Sequence, residues 1–490
     1  MQQKTVMTNR GPLIGRMKEE VWLFAGVPYA APPLDDLRFK APQPHPGWDT
    51  PREALKFAPA APQVSTGGMT DSAPVRWSED CLTLNISTPA CDDDARPVLV
   101  WIHGGGYRTG QSSIPWYNGA RFAQAGIVVV SINYRLGALG FTDLSHLGDD
   151  YADSAINGIL DQVAALRWVQ ENISGFGGDP AKVTIAGESA GGFSVSTLLG
   201  MPAAQGLFHH AIPQSGGAHH TLPRAAAQKI TKKFLSELGE QSAMHLSAVS
   251  VDDILKAQVS TSQHFESGAG LIDGLGVAVS PFYPAHGTPQ LPESPLDAIR
   301  AGCGSNVAVL TGTNTHETTL WGYGKVDEAK LVRIAQSLGA QAPLAAYRKT
   351  RPKASPEELV IALTTDHMFR IPAIRLAEAR AAHNGLTWMY LFNWSSRAFG
   401  GRLKATHALE IPFAFNNLDR AGVDAFIGPG AKPQSVADVM HEAWIEFIKH
   451  GVAPWDRYEL GDRTTMVFDD PSAIQHDPYA DERTAWAGLR

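Results

Sequence analysis

The chain has 490 residues, 44% of them hydrophobic and 18% charged, with a formal net charge of −8. These proportions exclude a disordered chain, a collagen-like fibre and a disulfide-dense miniprotein, and the length supports a large core. At roughly 150 residues per domain the length suits about three domains, or one large α/β domain with excursions. The mildly acidic balance supplies no general drive toward nucleic acid or an anionic membrane surface.

No apolar run reaches the roughly 18 residues of a membrane span. The opening Met1-Gln2-Gln3-Lys4-Thr5-Val6 lacks the apolar stretch of a signal peptide. Cys81, Cys91 and Cys303 are too few for a disulfide framework and lack metal-ligand spacing. A reducing, cytoplasmic home is the expectation.

Residues 58–78 are rich in Pro, Gly, Ser and Thr and are expected to form a long surface loop. Asp92-Asp93-Asp94 reads as a solvated acidic turn. Residues 97–102 and 127–133 are short β-rich apolar runs, the first followed by glycines. Residues 158–171 place Ile159, Val163, Leu166 and Val169 at helical spacing, with Gly175 and Gly177-Gly178 as the stop. Residues 183–186 form a further strand that enters a helix after Ser189. Strands are also predicted over 211–214, 307–311 and 388–392, and an amphipathic helix over 436–449, ended by Gly451. Apolar strands separated by helices imply an α/β fold with a mostly parallel sheet covered on both faces. Residues 216–300 and 326–382 read as helical excursions that cap the sheet of a single domain and shape a pocket.

Gly187-Glu188-Ser189-Ala190-Gly191 fits G-x-S-x-G and lies between a strand and a helix. That chemistry needs a sharp strand-to-helix turn that lifts the serine Oγ out of the sheet, with glycines on either side to relieve crowding. The helix N-terminus behind it favours developing negative charge. The pattern alone is weak, and its bland reading is a Gly-rich turn with an incidental serine. Upstream, His103-Gly104-Gly105-Gly106 follows a strand as an oxyanion motif should. Backbone N–H groups of Gly105, Gly106 and Ala190 are the expected oxyanion donors, and His103 is read as structural. No Lys-Ser or Lys-Thr pair closes the run, which disfavours a phosphate loop.

An activated serine needs a base, and the base needs an orienting acid; in this arrangement they follow in the order serine, acid, histidine. The loop after strand 307–311 offers Glu317, which position alone does not separate from a surface glutamate. Of the 17 histidines, His407 follows strand 388–392, while His441, His367 and His383 compete with it.

A resemblance chooses among them. Phe24-Ala25-Gly26-Val27-Pro28-Tyr29-Ala30, Pro32-Pro33 and Arg38-Phe39 are similar to the start of the type-B carboxylesterase family of α/β-hydrolases. Ser78-Glu79-Asp80-Cys81-Leu82-Thr83-Leu84-Asn85, Asn133-Tyr134-Arg135-Leu136-Gly137, residues 172–180 and Gly187-Glu188-Ser189-Ala190-Gly191-Gly192 resemble its later signatures. The likeness runs nearly end to end and is strongest to the bacterial para-nitrobenzyl esterase branch. It implies the α/β-hydrolase fold and a serine esterase for small short-chain, aryl or benzyl esters. It assigns Ser189 as nucleophile, Glu317 as acid and His407 as base, with no cofactor. It matches Ser215 to a serine that hydrogen-bonds the acid, and Glu188 to a buried carboxylate beside the nucleophile. An acyltransferase or amidase on this fold and a non-catalytic binding member are the alternatives.

Two departures stand out. The family usually pairs the cysteine of Ser-Glu-Asp-Cys with one about 20 residues earlier, where this chain has Ala61, so the loop over 58–78 is expected to be unstapled. Thr315-His316-Glu317-Thr318 also lacks the acidic residue and glycine that commonly flank the acid. Tyr107, Phe282, Tyr283, Leu320 and Trp321 are candidate pocket residues, each read more readily as core than as pocket wall.

Overall fold

A computed structural model describes residues 2–64, 75–239, 243–266 and 280–489. The central part of the loop over 58–78 and part of the excursion over 216–300 therefore lie outside the described residues. The sheet strands are β1 (Gln3–Thr8), β2 (Gly11–Lys18), β3 (Val21–Pro28), β4 (Thr83–Thr88), β5 (Arg96–Ile102), β6 (Val128–Ile132), β7 (Gly178–Glu188), β8 (His210–Gln214), β9 (Ala308–Asn314), β10 (Thr387–Phe392), β11 (Thr464–Phe468) and β12 (Ala473–His476). Their spatial order is β1-β2-β3-β4-β6-β5-β7-β8-β9-β10-β11-β12, and the two-residue strand Arg52–Glu53 pairs with β2. From β6 to β11 every neighbouring pair is parallel. The chain crosses over from β5 to β6 and returns past β5 to β7, so the glycine run after β5 and the turn after β7 emerge side by side.

The pleat explains why this sheet is buried on both faces. Along β5, Val98, Val100 and Ile102 enter one apolar cluster while Leu99 and Trp101 enter another. The first cluster lies under α1 (Asn157–Asn172), α2 (Ala190–Leu199) and α3 (Arg224–Leu238); the second takes α10 (Gln434–His450). Each such side chain removed from water contributes about 1.5–3 kcal/mol. The structure is thus the mostly parallel, doubly covered α/β-hydrolase sheet.

Two differences from the sequence reading have physical causes. The antiparallel β1–β4 edge was not anticipated: β1 is polar and buries only Val6, so its alternation is faint. β7 begins at Gly178 rather than 183 because it carries an irregular register opposite β5 between Arg96 and Val98, around Pro180, which has no N–H to give to a ladder. In the excursions, α4 (Val251–Glu266) packs on α3, and α5 (Pro295–Arg300) packs on α2. The second excursion holds α6 (Glu328–Ser337), α7 (Gln341–Thr350), α8 (Pro356–Thr365) and α9 (Ile371–Ala381), with a π-helical turn at Asp366–Arg370 between the last two. Among the described residues no helix is long and apolar enough to cross a membrane.

Candidate active site

Ser189 sits on the turn between β7 and α2 with φ 56° and ψ −123°, a strained conformation for a residue with a Cβ. Two close approaches require glycine in this turn and beside it. A Cβ on Gly191 would lie 2.0 Å from the Ile102 carbonyl oxygen, and one on Gly104 would lie 2.6 Å from the Glu188 carbonyl oxygen and 3.1 Å from Ser189 Cβ. The glycine run after β5 therefore rests directly against the serine turn. Ser189 N–H donates to the Gln214 carbonyl at 3.0 Å, which ties the turn to β8 as well.

The glycine run is supported from below by the Asn133–Gly137 segment. Tyr134 hydroxyl donates to the His103 carbonyl at 2.8 Å, and Gly137 N–H donates to the Tyr107 carbonyl. That segment is anchored by a buried pair: Arg135 Nε and Nη2 donate to the two Asp161 oxygens at 2.8 and 2.7 Å. His103 is buried, stacked on Tyr134 with centroids 4.5 Å apart, and burial pushes its imidazole down to about 4. Among the described residues, no backbone carbonyl takes the N–H of Gly105, Gly106 or Ala190.

Glu317 and His407 come from loops after β9 and β10. Two backbone hydrogen bonds zip these loops together: His316 N–H to the Ala405 carbonyl at 3.0 Å and His407 N–H to the Glu317 carbonyl at 3.1 Å. Side-chain geometry then follows. His407 Nδ1 lies 2.6 Å from Glu317 Oε2, while Glu317 Oε1 accepts from Ser215 Oγ at 2.5 Å and from Asn314 N–H at 2.8 Å. His407 Nε2 faces the serine turn, 3.1 Å from Glu188 Oε1.

A third carboxylate, Glu410, is buried beside this group and went unnoticed in the sequence. It accepts from Gln214 Nε2 at 3.2 Å and from Asn314 Nδ2 at 2.6 Å. Burial pushes Glu188 up to about 8, partly offset by His407, and pushes Glu410 up to about 7, with the Glu317 charge adding to it. Burial opposes the His407 proton, but Glu188 and Glu317 outweigh it and raise the imidazole to about 9. The spacing of three between His407 and Glu410 was the available signal.

A cavity of about 440 Å³ opens over Ser189 and His407. Of the expected wall residues, Tyr283, Leu320 and Trp321 line it, and Trp321, 41% exposed, stands at its mouth. Tyr107 and Phe282 do not line it. Tyr107 is fully buried, packs on Phe141 and Tyr283, and its hydroxyl accepts from Ser194 Oγ. Phe282 packs edge-on against Phe234 in the core. With φ 56° at Tyr107, the chain turns the ring inward beneath the glycines. The cavity instead takes Met368 and Phe369 from the π-helical turn, Ile114 and Tyr117 from the segment after the glycines, and Phe426. Phe369 lies 4.8 Å from the His407 ring and runs nearly parallel to Trp321. These positions lie in or beside helical turns of three to five residues, too short for periodicity to carry a signal. His441, His367 and His383 lie elsewhere: His441 Nδ1 is 2.8 Å from the Ala414 carbonyl oxygen, His367 packs on Trp486, and His383 Nε2 is 2.7 Å from the Arg300 carbonyl oxygen.

Comparison with known proteins identifies the family. The model of the carboxylesterase family matches residues 2–486. A para-nitrobenzyl esterase of Bacillus subtilis (strain 168) is 36% identical over 99% of this chain and 98% of its own length. A phenmedipham hydrolase of Pseudarthrobacter oxydans is 34% identical over 95% of each chain. Among solved structures, a carboxylesterase of Geobacillus stearothermophilus superposes with a TM-score of 0.87 at 36% identity, covering 98% of this chain and 99% of that one. The chain belongs to the carboxylesterase family and is a carboxylic ester hydrolase.

Proposed function

We propose that the chain hydrolyses small carboxylic esters, short-chain or aryl and benzyl, through an acyl-enzyme on Ser189. One observation carries the assignment: His407 Nδ1 is held 2.6 Å from Glu317 while Nε2 faces the turn that bears Ser189. The ester carbonyl enters the cavity with its oxygen toward the N–H groups of Gly105, Gly106 and Ala190. Nε2 turns from Glu188 to Ser189 Oγ and takes its proton as Oγ attacks the carbonyl carbon; catalytic hydrogen bonds of this kind tighten only when substrate is bound. Glu317 fixes the tautomer and stabilises the imidazolium. The tetrahedral oxyanion rests on the three N–H groups, each worth about 3 kcal/mol in the transition state. Collapse breaks the ester C–O bond, and His407 returns its proton to the leaving alcohol. Water then repeats the sequence on the acyl-enzyme.

Phe193, Tyr283, Met368 and Phe369 give the cavity apolar walls suited to aryl or short acyl groups. The relative named a para-nitrobenzyl esterase supports benzyl esters as substrates. The three unpaired cysteines support a reducing, cytoplasmic home. The test is turnover of para-nitrophenyl esters from acetate to palmitate by wild type and Ser189→Ala. Wild-type turnover of the short chains, abolished in the variant, is expected; a variant that keeps full activity removes Ser189 as nucleophile.

A further inference from the structure

We infer that Gln63 is a positioning residue for the oxyanion donors: its side-chain amide grips both backbone polar atoms of Gly110 and so holds the far end of the glycine turn. This deepens the reading of Gly105 and Gly106 as oxyanion donors given above, and rests on it.

Gln63 is 4% exposed, and all of its amide is engaged. Oε1 accepts from Gly110 N–H at 2.9 Å; Nε2 donates to the Gly110 carbonyl at 2.9 Å and to the Ala61 carbonyl at 3.0 Å. A second amide acts in parallel. Asn133 Oδ1 accepts from Ser112 N–H at 2.8 Å while Nδ2 donates to the Pro59 carbonyl at 3.2 Å. The limb over 59–63 is thus clasped to residues 110–112 without a covalent link, and Cys81 is free.

The turn needs such a clasp. Gly105, Gly106 and Tyr107 have φ of 115°, 61° and 56°, three consecutive residues in the left-handed half of the backbone map. The turn closes on one atom, the Gly105 carbonyl oxygen, which accepts from Arg108 N–H and Thr109 N–H at 3.1 and 3.0 Å. Among the described residues, neither Gly105 N–H nor Gly106 N–H gives its proton to a backbone carbonyl. Beyond this closure the chain doubles back so tightly that a Cβ on Gly110 would lie 2.4 Å from both the Gly104 carbonyl oxygen and His103 Nδ1. Gly110 is the point where the turn meets its own start, and Gln63 is what takes both of its polar atoms. A glycine peptide released there rotates at little conformational cost. Donors that stabilise an oxyanion act because they are already aimed, so loosening Gly110 should cost transition-state binding more than substrate binding.

The test uses the full chain as wild type, Gln63→Leu and Gln63→Glu. Turnover of para-nitrophenyl butyrate is measured beside inhibition by an aryl trifluoromethyl ketone, whose serine hemiketal places an oxyanion on the donors, and by its methyl ketone counterpart, which stays unreacted. For Gln63→Leu the expected result is a kcat lower by roughly 10- to 100-fold, as for small misplacements of catalytic groups. KM and methyl ketone inhibition stay near wild type, and the trifluoromethyl ketone Ki rises in step with the loss in kcat. Gln63→Glu keeps the acceptor for Gly110 N–H but sets a second acceptor oxygen against the Gly110 and Ala61 carbonyls, so its loss is at least as large; it carries the test if the leucine variant does not fold. Variants whose trifluoromethyl ketone affinity matches wild type overturn the role of Gln63. A wild type that turns over ester yet ignores the trifluoromethyl ketone overturns the oxyanion reading itself, and this inference with it.

Discussion

His407 stands between two carboxylates, Nδ1 2.6 Å from Glu317 Oε2 and Nε2 3.1 Å from Glu188 Oε1. Only Glu317 lies on the side that a general base needs occupied; Glu188 lies on the side that must meet Ser189. Glu188 and His407 titrate as a pair, and the carboxylates hold the imidazole's proton above neutrality, up to about 9. A base must be unprotonated, so kcat/KM rises with pH through this limb. Gln at position 188 cannot carry negative charge, so the imidazolium loses a stabilising partner and its pKa falls. Glu188→Gln is therefore expected to move the acid limb toward lower pH by about one unit or more, read from kcat/KM against pH. An unmoved limb would show that Glu188 carries no charge felt by His407.

The acid is held by two donors, Ser215 Oγ and Asn314 N–H. Glu317→Gln removes the charge that fixes the tautomer and is expected to lower kcat by roughly 10³- to 10⁴-fold. Ser215→Ala removes one donor to a buried carboxylate and leaves the other, a loss of about tenfold, ~1.4 kcal/mol. Steady-state kinetics on one short ester separates the two; equal losses would mean that Ser215 itself sets the acid's position.

Phe369 closes the cavity against His407 and Trp321. Phe369→Ala opens that wall and is expected to shift the optimum of a para-nitrophenyl series toward longer acyl chains. It also costs about 3–5 kcal/mol of stability, because the ring is buried. An unchanged chain-length optimum would place the acyl group elsewhere in the cavity.

The π-helical turn that presents Phe369 is braced from the C-terminal end of the chain. Arg370 Nε donates to Asp366 Oδ1 at 2.6 Å and Nη1 to the Pro478 carbonyl at 3.4 Å, while Arg351 pairs with Glu482 in the helix Ala480–Ala485. Trp486 Nε1 donates to the Tyr347 hydroxyl at 3.0 Å, and that hydroxyl bonds to Asp366. Arg370→Met leaves the buried Asp366 with the Tyr347 hydroxyl but without its cationic partner, and is expected to cost about 3–5 kcal/mol in a denaturant melt. A variant as stable as wild type would show that Asp366 finds protonation or another partner at no cost.

Tyr107 supplies the contrasting case. Its ring lies beneath the glycines rather than in the cavity. Tyr107→Phe is expected to leave KM within about twofold across the ester series, since among the described residues its hydroxyl has only the 3.4 Å contact with Ser194. A large, chain-length-dependent change in KM would return Tyr107 to the pocket.

The glycine turns and most of the parallel strands were legible in the sequence because each rests on local physics. A strand shows as a β-rich run, a helix as a 3.6-residue period, and a tight turn as glycine. The strands over 97–102, 127–133 and 388–392 all appear within a residue of their expected ends. Position alone did not choose Glu317 or His407; the family resemblance did, and the structure brings the two together through a pair of backbone hydrogen bonds between loops some 90 residues apart.

The remaining features arise from contacts between segments distant in the chain. Tyr107 turns beneath the glycines and Phe369 turns into the cavity because of a left-handed backbone and a π-helical turn that no periodicity announces. Glu410 became part of the carboxylate group around His407 by burial, and Gln63 became the clasp on Gly110, 47 residues away in sequence. Which chemistry the chain carries follows from residue types and their order along strands and turns. The shape of the cavity and the alignment of its donors were decided by packing, because they depend on side chains meeting across the fold, and such distances have no trace in local sequence.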